Sequence, residues 1–175
     1  VFLAVAYSFI GAVWLIWKTE DRLQQRALTW ARGGIWGMFG GVIAISLATP
    51  LASPRIFGKW FTFPEILYLA PVPLTFGVVG LVLMRILSRF RPGPRDWAPF
   101  ALTVVLFVLS FIGLAYSFFP YVVPDRMTIY EAAAAPESLM IILVGTLFVL
   151  PMILGYTVLS YFVFRGKTRE LSYKL

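Results

Sequence analysis

The side chains that could carry chemistry fall in two short stretches. In FPEILYLAPVPL, residues 63–74, Glu65 is an acid at the edge of an apolar run, and Pro71 and Pro73 stand two residues apart inside it. A carboxylate so placed could couple proton uptake to transport. Each proline lacks the amide donor a helix needs and leaves an earlier carbonyl without its partner. Interrupted transmembrane helices turn such carbonyls on a substrate or ion. The plainer reading is a kink, with Glu65 in a helix's first turn where the dipole favours negative charge. In SFFPYVVPDRMTIYEAAAAPESLM, residues 117–140, Asp125, Arg126, Glu131 and Glu137 mark the longest polar interruption, and Tyr130 directly precedes Glu131. An acid beside an aromatic ring in a polar loop suits a catalytic loop. It suits equally a cap at the headgroup layer, where Phe118, Phe119, Tyr121 and Tyr130 would be at home.

Other chemistry is narrowly bounded. The chain has no His and no Cys, which removes the usual haem and metal ligands, thiolate sites, disulfides and the usual general base. Its five methionines could in principle ligate a haem axially, but a Met without His is ordinarily packing. Deep inside the apolar runs there is no Asp, Glu, Lys or Arg, which argues against a self-sufficient proton pump or ion carrier. Arg85 lies near the end of one run, where a long side chain can snorkel to phosphates.

The elements that must position these residues are membrane spans. Sixty per cent of the residues are hydrophobic, 13% are charged and the mean hydropathy is +0.85, well beyond the globular average of about 45–50% apolar. Runs of about 20 apolar residues cross a ~30 Å hydrocarbon slab, and the runs here are continuous rather than alternating as in a barrel. The expected fold is an all-α polytopic bundle, one transmembrane domain over 1–175. Its five spans fall at about 2–17, 33–51, 64–87, 97–118 and 139–164, as a four-helix bundle plus one preceding helix. A short interfacial helix is expected in the loop after span four, over its alanine-rich part. Val1 opens inside an apolar run with no charged segment ahead of it, so the chain reads as a fragment of a larger subunit.

Basic residues alternate between the loops. Lys18, Arg22, Arg26 and Arg32 lie between spans one and two, Arg85, Arg89, Arg91 and Arg95 around the turn between three and four, and Arg165, Lys167, Arg169 and Lys174 after five. The opposite loops hold Arg55 and Lys59, then Arg126. This bias puts the carboxyl terminus in the cytoplasm and the loops near 52–62 and 119–138 outside it. The net charge of +7 therefore reads as membrane topology rather than nucleic-acid binding. Residues 18–33 have the spacing of an amphipathic continuation of span one, and Pro92, Gly93 and Pro94 force a tight turn between spans three and four. In span two, Gly33, Gly37 and Gly41 recur every four residues, a spacing that lets helix backbones approach closely. Pro151 should kink span five.

Several separated motifs, in order, resemble one family. The segment GLAYSFFPYVVPDRMTIYEAAAAPESLMIILVGTLFVLPMILGYTVLSYFVFRGKTRE carries an aromatic-proline span end, TIYEAAAAPESL, LPMILGYT and a closing FRGK; WLIWKTEDRLQQRA and FPEILYLAPVPL agree as well. They resemble subunit II of the cytochrome bd-type quinol oxidases, the cyanide-insensitive branch, over nearly the whole chain and towards the family's carboxyl-terminal part. The resemblance implies a heterodimer in the bacterial inner membrane, with this subunit paired to subunit I about a pseudo-twofold axis. Subunit I would hold the b- and d-type haems and the quinol-oxidising loop. The implied activity is that of a respiratory terminal oxidase, an oxidoreductase that oxidises quinol and reduces oxygen to water. This chain would then carry no catalytic, cofactor-binding or metal residue of its own. It would support assembly of subunit I and contact lipid, a quinone and a small single-span subunit. Where many relatives read Trp-Asp after TI, this chain reads Tyr130-Glu131, which keeps an aromatic followed by an acid.

Two rival functions come from other classes: a secondary transporter built on Glu65, Pro71 and Pro73, and a lipid-binding membrane scaffold. Topology is directly testable. A phosphatase reporter that works only outside the cytoplasm should be active when inserted at 52–62 or 119–138 and silent at the carboxyl terminus. The opposite pattern would invert the assignment.

Overall fold

A computed structural model describes residues 2–123, 126–164 and 166–168. Pro124, Asp125, Arg165, Arg169 and Lys174, which entered the loop and charge readings above, lie outside the described residues. The chain runs α1 (Phe2–Lys18), α2 (Asp21–Ala52), α3 (Pro54–Phe61), α4 (Glu65–Leu69), α5 (Pro71–Ser88), α6 (Ala98–Phe118), β1 (Tyr121–Val123), β2 (Met127–Thr128) and α7 (Pro136–Val163). Among the described residues four stretches are long and apolar enough to cross a membrane, Asp21–Leu51, Glu65–Ser88, Ala98–Phe118 and Pro136–Val163, with α1 a shorter apolar helix. The four overlap the spans expected at 33–51, 64–87, 97–118 and 139–164, and α1 falls on the one expected at 2–17. The chain forms two compact units, residues 1–119 with 167–175, and residues 120–166.

In the first unit α1 packs on α2, α2 on α5, α5 on α6 and α6 back on α1, closing a four-helix ring. The ring takes in span one, the helix that precedes the other four. Its core alternates at helical spacing: Phe9, Ala12, Val13 and Ile16 from α1, Ala27, Ala31, Ile35 and Met38 from α2, Leu83 and Leu87 from α5, and Leu106 from α6. The opposite faces are apolar as well, with Leu47, Leu81 and Phe111 exposed. Hydrophobicity therefore does not distinguish inside from outside here, and close packing has to hold the helices together.

Small residues on α2 supply that closeness. A Cβ built on Gly37 would lie 2.6 Å from Val5 Cγ1, one on Gly41 2.8 Å from Phe2 Cβ, and one on Gly34 3.4 Å from Phe9. Gly33 has nothing within 4 Å, so the working stripe is 34, 37 and 41 rather than 33, 37 and 41. On α5, Gly80 admits the tip of the Phe39 ring, which also meets Phe76 edge-on at 5.6 Å between centroids.

Two local expectations are corrected. Residues 21–33 extend span two, not span one: α1 ends at Lys18, Glu20 is extended, and Asp21 takes a left-handed φ of 56°, which Asp tolerates better than most residues. The loop after span four holds no interfacial helix among its described residues. It forms an antiparallel hairpin with an irregular register, Tyr121 opposite Thr128 and Val123 opposite Met127. Residues 133–135 have no regular secondary structure, and Ala135 before Pro136 stands at φ −52° and ψ 143°. A residue before proline is pushed out of the helical region, and a few alanines cannot nucleate a helix alone. The helix in an inter-span loop is instead α3, between spans two and three.

Gly37→Ala should lower stability by on the order of 1–3 kcal/mol, because a β-branched neighbour cannot swing clear of the new methyl. Gly40→Ala, with nothing within 4 Å, is the control. The thermal midpoint of the detergent-solubilised protein should fall for the first and hold for the second.

Candidate functional site

Polar side chains gather at the two ends of the four-helix ring and in the hairpin of the second unit. At the end carrying α3, Lys59 reaches over the carboxyl terminus of α6. Its Nζ donates to the carbonyls of Tyr116 at 2.6 Å and Phe119 at 2.9 Å and lies 4.3 Å from the Tyr116 ring centroid. A cation there meets the negative end of the helix dipole and the carbonyls that no helical amide can satisfy. Trp60, one residue on, donates its indole N–H to Ser117 Oγ at 3.0 Å, and Ser117 turns its own hydroxyl onto the Gly113 carbonyl. Burial lowers the Lys59 pKa below its ordinary 10.5, Arg55 lowers it further and Glu65 opposes both.

Glu65 opens α4 directly after Pro64, one carboxylate oxygen lying 3.4 Å from a Thr62 hydroxyl that donates to the Gly58 carbonyl at 2.6 Å. It is an acid in a helix's first turn, where the dipole favours negative charge. Pro71 and Pro73 open α5 after a break at Ala70. The expected interruption of span three is real, but Ala70 keeps helical dihedrals of −51° and −36° and donates to the Ile66 carbonyl. The chain is notched there rather than unwound. Glu65, Pro71 and Pro73 thus share one segment, at the starts of α4 and α5.

The opposite end of the ring holds a cluster that sequence reasoning missed. Among the described residues Asp96 is the one buried charged side chain, 3% exposed. Its Oδ1 accepts from Gly93 N at 2.9 Å, which tightens the turn between α5 and α6. Its Oδ2 accepts from Gln24 Nε2 at 3.0 Å and from Lys167 Nζ at 2.5 Å. Gln24 also donates to the Ile16 carbonyl at 2.9 Å, and Thr168 N donates to the Lys18 carbonyl at 2.8 Å. One carboxylate therefore ties α1, α2, the turn and the segment after α7 into a single knot. Beside it Arg32 donates to the Leu87 and Ser88 carbonyls and closes the end of α5. A lone acid among Arg91, Arg95 and a distant Lys167 was the available signal, since burying it requires a cation.

In the second unit Tyr130 is 75% exposed and Glu131 is exposed beside it. Glu131 accepts from Thr128 N at 2.8 Å, and its own amide donates to Thr128 Oγ1 at 3.3 Å. This reciprocal pair is the geometry of a capping box, used here to close a turn after the hairpin rather than to start a helix. Hydrogen bonds from Thr128, its backbone amide first, hold the Glu131 carboxyl below the usual carboxylate range. Among the described residues no three His, Asp or Glu side chains come together as a metal site. The sequence holds no imidazole or thiolate. Of its five methionines Met38 lies in the core, Met84 packs partly buried against it, and Met127, Met140 and Met152 are exposed.

This arrangement defines a multi-pass helical membrane protein in which the polar groups described above close helix ends and turns. The sequence model of one family, cytochrome bd terminal oxidase subunit II, matches residues 1–164, and the chain belongs to that family. The resemblance read from the motifs is borne out. Comparison with curated proteins finds no match.

The Glu131 turn should respond to acid. Its lowered carboxyl pKa means that its contribution is full above the ordinary value of 4.5 and is lost as pH falls through the lower folded value. Protease cleavage within 126–135 should stay constant from neutrality to that point and rise below it. Glu131→Gln should remove this rise, because an amide can accept the same bond without titrating.

Proposed function

We propose that this chain is the haem-free partner in a membrane-bound quinol:oxygen oxidoreductase, a respiratory terminal oxidase of the bacterial inner membrane. Its task is to assemble with and stabilise a haem-bearing subunit, which oxidises quinol and reduces oxygen to water. The observation that carries the reading is the ligand inventory: a member of an oxidase subunit family offers no imidazole or thiolate in 175 residues, and its buried thioether is committed to helix packing. The b- and d-type haems then belong to the partner, and the work left to this chain is packing. The surface suits that work. Within its own unit α7 presents large apolar side chains such as Ile141, Leu147, Phe148 and Met152 at its surface.

In this assignment the Asp96 end faces the cytoplasm, following the basic loops, and the α3 end and the hairpin face outward. Tyr130 and Glu131 shape a docking turn instead of touching quinol, and any quinone or lipid held by the chain is structural. The transporter reading draws no support from Glu65, which is occupied in a helix start.

The full-length subunit expressed without its partner should show no haem bands in a reduced-minus-oxidised spectrum. Expressed with it, the two should co-purify with the haems, and deletion of this subunit should cut assembled haem at least several-fold. Stoichiometric haem on the isolated subunit would overturn the assignment. So would an unchanged yield of active oxidase in its absence.

A further inference from the structure

Helix α3 is amphipathic in the reverse of the sense a water-exposed loop requires. One face carries Arg55, Ile56, Lys59 and Trp60, and it is turned towards the ring: Ile56 is 2% exposed, Arg55 Nη2 is buried, and Lys59 and Trp60 are bonded to α6. The other face carries Phe57 and Phe61, 53% and 57% exposed, with their rings 4.8 Å apart. A loop helix in water does the opposite, turning its cations out and its rings in. Here the Lys59 ammonium and the indole donor are engaged on α6, and the most exposed large side chains are the Phe57 and Phe61 rings.

We propose that α3 lies immersed in the membrane, its Phe57–Phe61 face dissolved among the acyl chains of the nearer leaflet, so that the connection between spans two and three does not enter water. Several features favour lipid over a protein partner. The apolar exposure does not stop at the helix: Leu51 before it is 83% exposed, and Phe63, Leu67 and Tyr68 after it are 79%, 61% and 71% exposed. Leu51 ends one membrane-spanning stretch and Leu67 and Tyr68 lie in the first turn of the next, so apolar exposure is found on both spans as well as on the helix between them. Phenylalanine lacks the polar tip that anchors Tyr and Trp at the headgroups. Trp60, which has such a tip, points it at Ser117. The backbone is prepared for a dry setting as well. Pro54 at the first turn has no amide to satisfy, Phe57 N donates to the Ser53 carbonyl, and the Thr62 amide and hydroxyl both close on the Gly58 carbonyl.

The absence of cysteine from the sequence makes a spin-label test clean within this chain. Phe57→Cys and Phe61→Cys, each carrying a nitroxide, would be examined in the assembled complex in phospholipid vesicles, with Arg91→Cys as the water-exposed reference and labelled wild type as background. At 57 and 61, collisions with dissolved oxygen should exceed those with a water-soluble nickel chelate several-fold, and at 91 the order should reverse. Chelate collisions dominating at 57 and 61 would place the helix in water. Negligible collisions with both would place it under protein. Either overturns the proposal. If the cysteine variants fail to assemble, a membrane-soluble carbene reagent decides on the unmodified complex. Labelling within 57–63 is expected, and its absence overturns the proposal.

Discussion

A carbonyl at the end of a membrane helix needs a donor, and near hydrocarbon water cannot be relied on to provide one. Much of what is distinctive in this protein answers that need. Arg32 of α2 closes the end of α5 through the Leu87 and Ser88 carbonyls, and Lys59 of α3 closes the end of α6 through Tyr116 and Phe119. In both cases a long cationic side chain from a neighbouring element supplies what the helix lacks, and its charge complements the dipole at that terminus. The contact also fixes the neighbour. Lys59 can reach α6 because α3 folds back over the ring, and Arg32 can reach α5 because α2 packs on that helix.

Long apolar runs are the strongest sequence signal available, and the five spans were legible from it. The bends and caps were not, because they depend on which neighbour a side chain meets. Gly37 and Gly41 were visible as a spacing, but Gly34 belongs to the contact and Gly33 does not, since the choice turns on where Phe2, Val5 and Phe9 of α1 point. Reading residues 18–33 as a continuation of span one missed the reversal at Glu20 and Asp21, a two-residue change of dihedral with little compositional signature. In the loop after span four, the alanines suggested helix by propensity. Pro136 and the Thr128–Glu131 pair decided otherwise through backbone sterics and a specific hydrogen bond.

The candidate residues illustrate a general trap in reading membrane sequences. Glu65, Pro71, Pro73, Tyr130 and Glu131 stood out because polar and helix-breaking residues are scarce in such a chain. Scarcity marks positions where geometry is demanding, and a demanding geometry can be a helix start, a notch or a turn as readily as a reaction centre. Asp96 is the counterexample: next to Arg95 in a short basic turn it was not singled out from the sequence, yet it is the most deeply buried acid among the described residues.

The Asp96 knot also bears on the order in which the protein is made. Lys167 follows Asp96 by 71 residues and emerges from the ribosome only after the whole of α7. Until then the ring can close around α1, α2, α5 and α6, but a carboxylate destined for burial lacks its cation, an expensive condition for a buried charge. Gln24 can approach early, whereas the ion pair cannot. The end of the ring that holds Asp96 is therefore the last part of the first unit to reach its final state, and a chain cut short after α7 would leave it unfinished.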